Sequence, residues 1–439
     1  MNPKVAVILF PGSNCELEAV RSSRQSGMET EIFRWNDESS KLKKFDAYIL
    51  PGGFSYEDRG RSGIIASKDP IMEMIKKESA KGKPVLGICN GAQILVESGL
   101  IPGLTPDQLE MALAWNERIK QGKILGVGFY NDWIYIRHDV RPGRSVYNRF
   151  GKDIIMRIPV AHGEGRFTSR EQNLLDNLIK NEQTLFRYCD RSGKFSNEFP
   201  VNPNGAVFNL AGVCNPEGHI LALMPHPERT IHGKPIFDSL ADYLKSGSKT
   251  AIRKPQKIAK IKPVRDHMEQ QKQKPDIVIL VRLIITDNEE RTLENTIKQL
   301  GYKDITLYRQ VYLGFHLQNR KTLEKTARKL IESGEILNLN KEIPTILIGK
   351  QAYSYEKKKG LNKIKNPTPG GFHFIAMEYD NYAGKNIYAN LQNHFPEKTL
   401  EKVERGISWI IRTKNVHTAG KVIQTHIFHN PHSMEIITV

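Results

Sequence analysis

The stretch VLGICNGAQILV, residues 85–96, decides the fold of the first half of the chain. Its opening residues are apolar or glycine and predict a short buried strand, whereas its last five predict an apolar helix. The turn between them is Gly-Ile-Cys-Asn-Gly, in which glycine avoids a Cβ clash and Cys89 occupies the centre. This turn places the thiol at the positive end of the helix, where a thiolate is stabilised. Cys89 is therefore a candidate nucleophile.

A cysteine nucleophile needs a group that carries its proton, and Pro225-His226-Pro227-Glu228 supplies an imidazole with a carboxylate two residues later. In extended backbone, residues two apart share a face, so Glu228 is placed to orient His226. A third motif, Pro51-Gly52-Gly53-Phe54, follows a predicted strand, and its glycines let backbone N–H groups approach a developing oxyanion. Each motif alone is more often structural, but together they favour a cysteine-dependent active site.

These three motifs resemble those of class I glutamine amidotransferase domains, and their order along the chain agrees with that family. Three segments resemble, more closely, the glutaminase subunits of phosphoribosylformylglycinamidine synthase: Phe10–Cys15, Pro51–Tyr56 and Ile158–Arg166. The match covers about residues 3–245. It implies a flavodoxin-like α/β fold with a mostly parallel sheet flanked by helices, and the alternation of short apolar runs with helical patterns indicates the same class.

The resemblance also implies a role for each matching residue. Cys89 attacks the side-chain amide of L-glutamine, His226 acts as general base and then as general acid, and Glu228 fixes the imidazole. A glutamyl thioester is the implied intermediate. The backbone amides of Gly53 and Asn90 are the implied oxyanion donors.

Gln93 and the loop His162-Gly163 are candidates for holding the side chain or the α-substituents of glutamine, and no metal site is expected. One segment departs from the family pattern, because Glu57–Arg61 brings extra charge where the family usually has a Gly-Asp pair. The contacts of this loop with glutamine or a partner stay open. Cys15 is interpreted as a packed thiol, since no base stands beside it in the sequence.

The implied activity is hydrolysis of L-glutamine to glutamate and ammonia. The ammonia feeds the ATP-dependent conversion of formylglycinamide ribonucleotide to formylglycinamidine ribonucleotide in de novo purine biosynthesis. The chain lacks a G-x-x-x-x-G-K-[ST] phosphate loop, so no cofactor is expected in this chain, and ATP and Mg are expected on a separate large synthetase subunit. Turnover is expected to be low until that partner docks.

Composition and charge narrow the class of protein. With 39% hydrophobic and 26% charged residues, the chain can form packed cores. No secretion signal is recognisable, and the longest apolar candidate, Ile277–Ile285, is interrupted by Arg282, so we expect a cytoplasmic protein without membrane spans. The four cysteines are widely spaced, as is typical of reduced thiols.

About half of the formal net charge of +17 lies in one segment. Between Lys245 and Pro275 stand ten Lys or Arg and two Asp or Glu, which indicates a basic linker rather than a nucleic-acid surface. We therefore predict a glutaminase domain at residues 1–245 and a linker at 246–275. An accessory domain is predicted at 276–342 and a degenerate second copy of it at 343–439.

The accessory assignment rests on a resemblance to the small accessory subunit of the same synthase. Ile277–Ile285 predicts a strand, Asp287 a helix cap, Ile305–Leu313 an alternating strand, and Leu323–Ile331 a second helix. In the tail we predict strands at Phe372–Glu378 and Val422–Phe428. Between those two strands, the spacing of Leu400, Val403, Ile407 and Ile411 predicts a helix. Pairing of the second copy with the first would cover an exposed sheet edge. Self-association through the accessory-like domain is a separate expectation.

Two other interpretations stay open. The same triad is compatible with a different amidotransferase complex or a stand-alone amidase. Alternatively, the cysteine site is vestigial and the basic linker or C-terminal half binds RNA or acidic partners, which would give salt-dependent RNA binding without glutaminase activity.

Overall fold

The computed structural model describes residues 2–152, 154–171, 173–247, 268–270, 273–365, 369–395 and 399–438. The chain divides into two compact units, Met1–Val264 and Arg265–Val439. Most of the predicted basic linker lies outside the described residues. None of the helices in these described ranges has the length and hydropathy that crossing a bilayer requires.

The first unit contains one large sheet, one small sheet and a separate hairpin. Its strands are β1 (Lys4–Leu9), β2 (Glu29–Arg34), β3 (Ala47–Leu50), β4 (Val85–Ile88), β5 (Ala112–Trp115), β6 (Glu117–Lys120), β7 (Lys123–Val127), β8 (Tyr130–His138), β9 (Ile155–His162), β10 (Glu164–Thr168), β11 (Phe186–Cys189), β12 (Leu210–Cys214) and β13 (Ile220–Leu223). Its helices are α1 (Glu16–Gln25), α2 (Ile64–Ser67), α3 (Pro70–Ser79), α4 (Asn90–Glu97), α5 (Leu174–Lys180) and α6 (Lys234–Lys245).

The large sheet has nine strands in the order β2-β1-β3-β4-β13-β12-β11-β8-β9. The strands from β2 to β13 pair in parallel, and those from β13 to β9 pair antiparallel. The α/β class is thus confirmed, but the sheet is mixed and only half of its pairings are parallel. The antiparallel half arises where strands follow each other without a crossover helix, as between β12 and β13, which a short turn connects.

The central parallel strands β3, β4 and β13 are apolar because both faces of the sheet are covered there, whereas the edge strand β2 carries charged residues. The residues Val5–Ile8 of β1 and all of β4 are buried. Helix α3 is capped by Asp69, whose side chain accepts a hydrogen bond from the N–H of Ile71 at 3.0 Å. Strands β3, β4 and β13 are parallel neighbours, so their carboxyl ends meet at one edge of the sheet.

The second unit is built on a nine-stranded sheet that is mainly antiparallel. Its strands are β14 (Met268–Gln270), β15 (Ile277–Leu283), β16 (Ile305–Leu317), β17 (Glu342–Ile348), β18 (Gln351–Glu356), β19 (Gly360–Ile364), β20 (Phe372–Glu378), β21 (Leu400–Thr413) and β22 (Met434–Thr438). Its helices are α7 (Asn288–Gln299), α8 (Leu323–Glu332), α9 (Tyr382–Leu391) and α10 (Val416–Ile423).

The order β-α-β-α-β occurs twice in this unit, as β15-α7-β16-α8-β17 and as β20-α9-β21-α10-β22. The two runs join through β16 and β21, which pair antiparallel from Ile305–Thr413 to Leu317–Leu400. The second run begins at β20, because β17, β18 and β19 continue the first run's side of the sheet. The predicted boundary after residue 342 therefore falls inside the first run.

The predicted elements before residue 335 are confirmed, including the cap in which Asp287 accepts from the N–H groups of Glu289 and Glu290. In the tail, the strand at Phe372–Glu378 is confirmed as β20, but two predictions are wrong. Leu400–Ile411 belongs to strand β21, and the predicted strand Val422–Phe428 is instead the end of helix α10 and the turn that follows it. The spacing around Val403 matches a helix, yet the β-branched and aromatic side chains pair along β16, and this tertiary pairing prevails.

Candidate active site

Cys89 occupies the turn between the carboxyl end of β4 and the first residue of α4. Its backbone has φ +51° and ψ −107°, a conformation that a residue with a Cβ rarely adopts. The N–H of Cys89 donates to the carbonyl of Leu223 at 2.8 Å, and its own carbonyl accepts from the N–H groups of Ala92 and Gln93. The predicted nucleophile elbow is therefore present, with a strained backbone held by β13 on one side and α4 on the other.

His226 and Glu228 follow strand β13 and are both buried. Glu228 Oε1 lies 2.6 Å from His226 Nδ1, and the backbone N–H of His226 donates to Pro159 at 2.9 Å. Burial alone would lower the pKa of His226, but the Glu228 carboxylate and the neighbouring Cys89 and Cys15 raise this pKa well above its ordinary value. The imidazole is thus oriented through Nδ1, as predicted for a proton carrier.

The three predicted motifs meet around Gly52, at the carboxyl end of β3. A Cβ on Gly52 would lie 2.8 Å from Cε1 of His226, 3.0 Å from Sγ of Cys15 and 3.4 Å from Cβ of Cys89. Only glycine leaves the space in which the imidazole and the two cysteines approach each other. The structure therefore brings Cys89, His226 and Glu228 together at the sheet edge where parallel strands end.

The peptide between Gly52 and Gly53 is held in one orientation. The carbonyl of Gly52 accepts from the N–H groups of Asn14 at 3.2 Å and Cys15 at 3.3 Å. Because the peptide is planar and trans, the N–H of Gly53 points away from these donors. Gly53 has φ +139°, and a Cβ there would lie 2.7 Å from Asn14 N, so another side chain would not fit. The N–H of Asn90 begins α4 and has no acceptor within that helix.

Gln93 and Asn90 belong to a chain of hydrogen bonds beside the nucleophile. Asn90 Nδ2 donates to Gln93 Oε1 at 2.9 Å and to Asp58 Oδ1 at 3.2 Å, and Gln93 Nε2 donates to the carbonyl of Glu164 at 2.7 Å. Burial raises the pKa of Asp58 to about 6. The Nε2 end of the Gln93 amide therefore joins α4 to Glu164, directly after the His162-Gly163 loop predicted to position glutamine, while its Oε1 end is held within α4.

That loop contains His162 and Gly163 and is fastened from the other side by Asn116. The side chain of Asn116 contacts His162 Nδ1 at 3.1 Å, and the backbone N–H of Asn116 donates to the carbonyl of Gly163 at 2.8 Å. Burial, together with the charge of His226, lowers the pKa of His162 to about 3, so its imidazole is neutral at physiological pH. The loop also approaches the nucleophile, because the Cys89 thiol lies 3.7 Å from the carbonyl of Ala161.

Cys15 lies closer to the reacting groups than the sequence predicted. The guanidinium of Arg229 donates to Cys15 Sγ at 2.9 Å, and Cys15, His226 and Glu228 each offer an atom within 4.8 Å of the others. Such a trio has the residue types of a metal site, but the Arg229 cation beside the thiol and the bond between Glu228 and His226 disfavour a divalent ion. No signal in the sequence linked Cys15 to Arg229, since 213 residues separate them.

The loop that departs from the family pattern has a structural function. Arg61 reaches Glu97 of α4 through Nε at 3.0 Å and Nη2 at 2.6 Å, and their side chains are only 8% and 6% exposed. This bidentate pair ties the loop to the helix that begins beside Cys89. Arg59, in contrast, pairs with the exposed Glu57.

Arg61→Ala is expected to lower the free energy of unfolding by about 3–5 kcal/mol, because Glu97 would lose its bidentate cation while staying buried. The double variant Arg61→Met with Glu97→Leu removes both charges and is expected to regain most of that loss. Urea unfolding followed by circular dichroism measures both variants. A loss below about 1 kcal/mol for Arg61→Ala would contradict a stabilising function of the pair.

Comparisons with known proteins show which proteins this chain is similar to. A family model described as a CobB/CobQ-like glutamine amidotransferase domain matches residues 2–238. A protein of Methanothrix thermoacetophila named phosphoribosylformylglycinamidine synthase subunit PurQ is 45% identical over 260 residues, which cover 55% of this chain and 98% of that protein. A protein of the same name from Methanosarcina acetivorans is 39% identical over 249 residues, covering 55% and 98%.

Among solved structures, the structure of PurLQS from Thermotoga maritima is similar to this chain. The identity is 32%, the aligned part covers 56% of this chain and 100% of the other, and the TM-score is 0.44.

Proposed function

The chain belongs to the CobB/CobQ-like glutamine amidotransferase family, and from this membership we propose that it hydrolyses L-glutamine at Cys89 and supplies the ammonia to formylglycinamidine ribonucleotide synthesis. The observation that carries the proposal is the convergence of Cys89, His226 and Glu228 around Gly52. The relatives named subunit PurQ belong to the synthase that makes this nucleotide, and the alignment with one of them covers 98% of its length.

The first half of the reaction forms a thioester. In the resting site His226 Nε2 has already taken the thiol proton, and the Cys89 sulfur attacks the side-chain carbonyl carbon of glutamine. The carbonyl oxygen becomes an oxyanion, which the N–H groups of Gly53 and Asn90 bind. The C–N bond then breaks, His226 returns its proton to the leaving nitrogen, and ammonia departs from the glutamyl thioester. Glu228 holds the imidazole and stabilises its protonated form throughout.

The second half releases glutamate. Water attacks the thioester carbonyl while His226 removes its proton, the same two N–H groups bind the second oxyanion, and the C–S bond breaks to return Cys89. His226 transfers the proton to the leaving nitrogen and removes the proton from the attacking water. Since one imidazole carries out both proton transfers, the reaction requires no cofactor of this chain. Gln93 and the loop of His162 and Gly163 are proposed to shape the space that holds the substrate.

ATP and Mg are proposed to act on a separate large synthetase subunit, which activates the amide oxygen of formylglycinamide ribonucleotide for attack by ammonia. Ammonia is quickly protonated in water and is then no nucleophile. We therefore propose that the glutaminase turns over slowly until the synthetase docks and provides a sheltered path, and that both act in the cytoplasm.

The second unit is proposed to contain two copies of the small accessory subunit of the same synthase. The repeated β-α-β-α-β order and the antiparallel pairing of β16 with β21 support this. That pairing covers, within one chain, an edge that a single copy would leave open. Self-association through the remaining edges of the unit is a further prediction.

The function is tested by combining the full chain with the large synthetase subunit of the same organism, ATP, Mg and formylglycinamide ribonucleotide. We expect glutamate and formylglycinamidine ribonucleotide to form in equal amounts, with asparagine inactive as donor. Glutamate formed at the full rate without the synthetase and the nucleotide, or a donor preference for asparagine, would overturn the proposal in favour of another amidotransferase or a stand-alone amidase. Salt-dependent RNA binding without glutamate formation would overturn it in favour of a binding protein.

A further inference from the structure

The hairpin of β6 and β7 pairs with no other strand in the described part of the chain. As strands they pair only with each other, through the pairs from Glu117–Val127 to Lys120–Lys123, while β6 is also held by backbone hydrogen bonds to Phe199 and Asn204. A two-stranded ribbon is marginally stable in water unless another surface covers it. Ile124 and Leu125 of this hairpin are nevertheless 46% and 58% exposed. Leu125 is the extra residue of a β-bulge in β7, because Ile119 pairs with Ile124 and Arg118 pairs with Gly126. The hairpin thus presents apolar side chains to solvent.

Two large aromatic side chains extend this surface toward the active site. Phe129 is 57% exposed and Trp115 is 39% exposed. A Cβ on Gly163 would lie 3.7 Å from Cζ3 of Trp115 and 3.9 Å from Cα of Phe129. We call Trp115, Ile124, Leu125 and Phe129 the hairpin patch. Clustered exposed apolar side chains of this size are typical of an interaction surface.

Asn116 links the hairpin patch to the loop beside the nucleophile. It is 1% exposed, and its Nδ2 donates to the carbonyls of Gly128 at 3.1 Å and His162 at 2.6 Å. Its Oδ1 accepts from the N–H of Gly165 at 2.9 Å. One buried amide therefore joins the end of the hairpin to residues 162–165. This is the loop whose Glu164 carbonyl accepts from Gln93.

We propose that the hairpin patch is the surface on which the ammonia-consuming synthetase subunit docks, and that Asn116 passes the effect of docking to the loop of His162. This inference rests on the proposed function. The patch adjoins the loop that touches Cys89, and a consumer of ammonia must cover that region before the product reaches bulk water. Lys120 and Lys123 are exposed at the tip of the hairpin, so the matching surface has an apolar centre with an acidic rim.

The test compares a double variant, Ile124→Glu with Leu125→Glu, with a matched control, Ile32→Glu with Ile179→Glu. The control adds the same charge at isoleucines of similar exposure, 39% and 40%, on β2 and α5. Binding of the large synthetase subunit is measured by sedimentation, and glutamate release is measured with and without that subunit. The hairpin variant is expected to bind at least about 30-fold more weakly and to lose its stimulation, while its basal glutaminase activity stays unchanged.

Each outcome is decisive. Equal binding by the hairpin variant and the control overturns the inference. The inference is also overturned if the wild type forms dimers, the hairpin variant is monomeric, and both bind the synthetase equally. The hairpin patch would then bind a second copy of this chain. If neither wild type nor control binds the synthetase or releases glutamate, the proposed function itself fails rather than the location of the surface.

The variant Asn116→Ala tests binding of the synthetase separately from the stimulation of glutaminase activity that binding causes. We expect this variant to bind the synthetase as wild type does but to gain less than a third of the wild-type stimulation of kcat. A loss of binding without a change in stimulation per bound complex would overturn the linking function of Asn116. Thermal unfolding of the variant checks that the unit still folds.

Discussion

Cys89→Ala is expected to reduce glutamine hydrolysis by about a million-fold, to below detection, because it removes the proposed nucleophile and the nearby thiol of Cys15 is held by the guanidinium of Arg229. Synthesis of formylglycinamidine ribonucleotide from added ammonium salt is expected to continue in the assembled complex, since the synthetase reaction needs only ammonia. The measurement is glutamate release, followed by nucleotide formation with glutamine or with ammonium as nitrogen source. Glutamine-dependent synthesis above one thousandth of the wild-type rate would contradict Cys89 as the nucleophile.

Cys214→Ala is the matched control, because Cys214 is also a buried free thiol of the first unit. Burial raises the pKa of Cys214 to about 11 and that of Cys189 to about 12, so these thiols stay protonated at neutral pH. The control is expected to keep its activity. An alkylating reagent at neutral pH is expected to modify Cys89 before Cys214 and Cys189, and glutamine is expected to slow this modification.

The parts of the site that local sequence predicted are those whose chemistry lies within a few residues. The turn around Cys89 is specified by Gly87, Gly91 and the apolar segments beside them, and the pair His226 and Glu228 lies within one motif. The structure adds the sheet topology, in which β3, β4 and β13 are neighbours, and so explains why the separate motifs meet.

Other parts of the site depend on contacts between distant segments, which one sequence does not reveal. Arg61 and Glu97 look like ordinary surface charges in the sequence, yet they form a buried bidentate pair. Asn116 stands in no recognisable motif, and its function follows only from the carbonyls that surround it. The same limit explains the wrong helix in the tail. The spacing of apolar residues around Ile407 matches a helix, but this segment forms a strand because it pairs along its length with β16.

After Cys89, Glu228 is the position whose substitution is expected to reduce activity most, because its carboxylate opposes the effect of burial on the pKa of His226. Burial disfavours the imidazolium, and the carboxylate of Glu228, 2.6 Å from Nδ1, is the first of the groups that oppose this effect. With Glu228 in place, the pKa of His226 lies well above its ordinary value, so the resting imidazole holds a proton and pairs with the Cys89 sulfur. Activity that requires this protonated form is lost as the pH rises through the raised pKa.

Glu228→Gln keeps the shape of the side chain but removes its charge, and we expect kcat to fall by about 10⁴-fold. Burial then prevails, the pKa of His226 falls, and the alkaline limb of the profile of kcat/KM against pH moves to lower pH. Glu228→Asp keeps the charge at a longer distance and is expected to show a smaller loss and a smaller shift in the same direction. The measurement is the full pH profile of glutamate release for the three proteins. An alkaline limb of Glu228→Gln that coincides with that of the wild type would show that Glu228 does not set the protonation of His226, whatever the loss of rate.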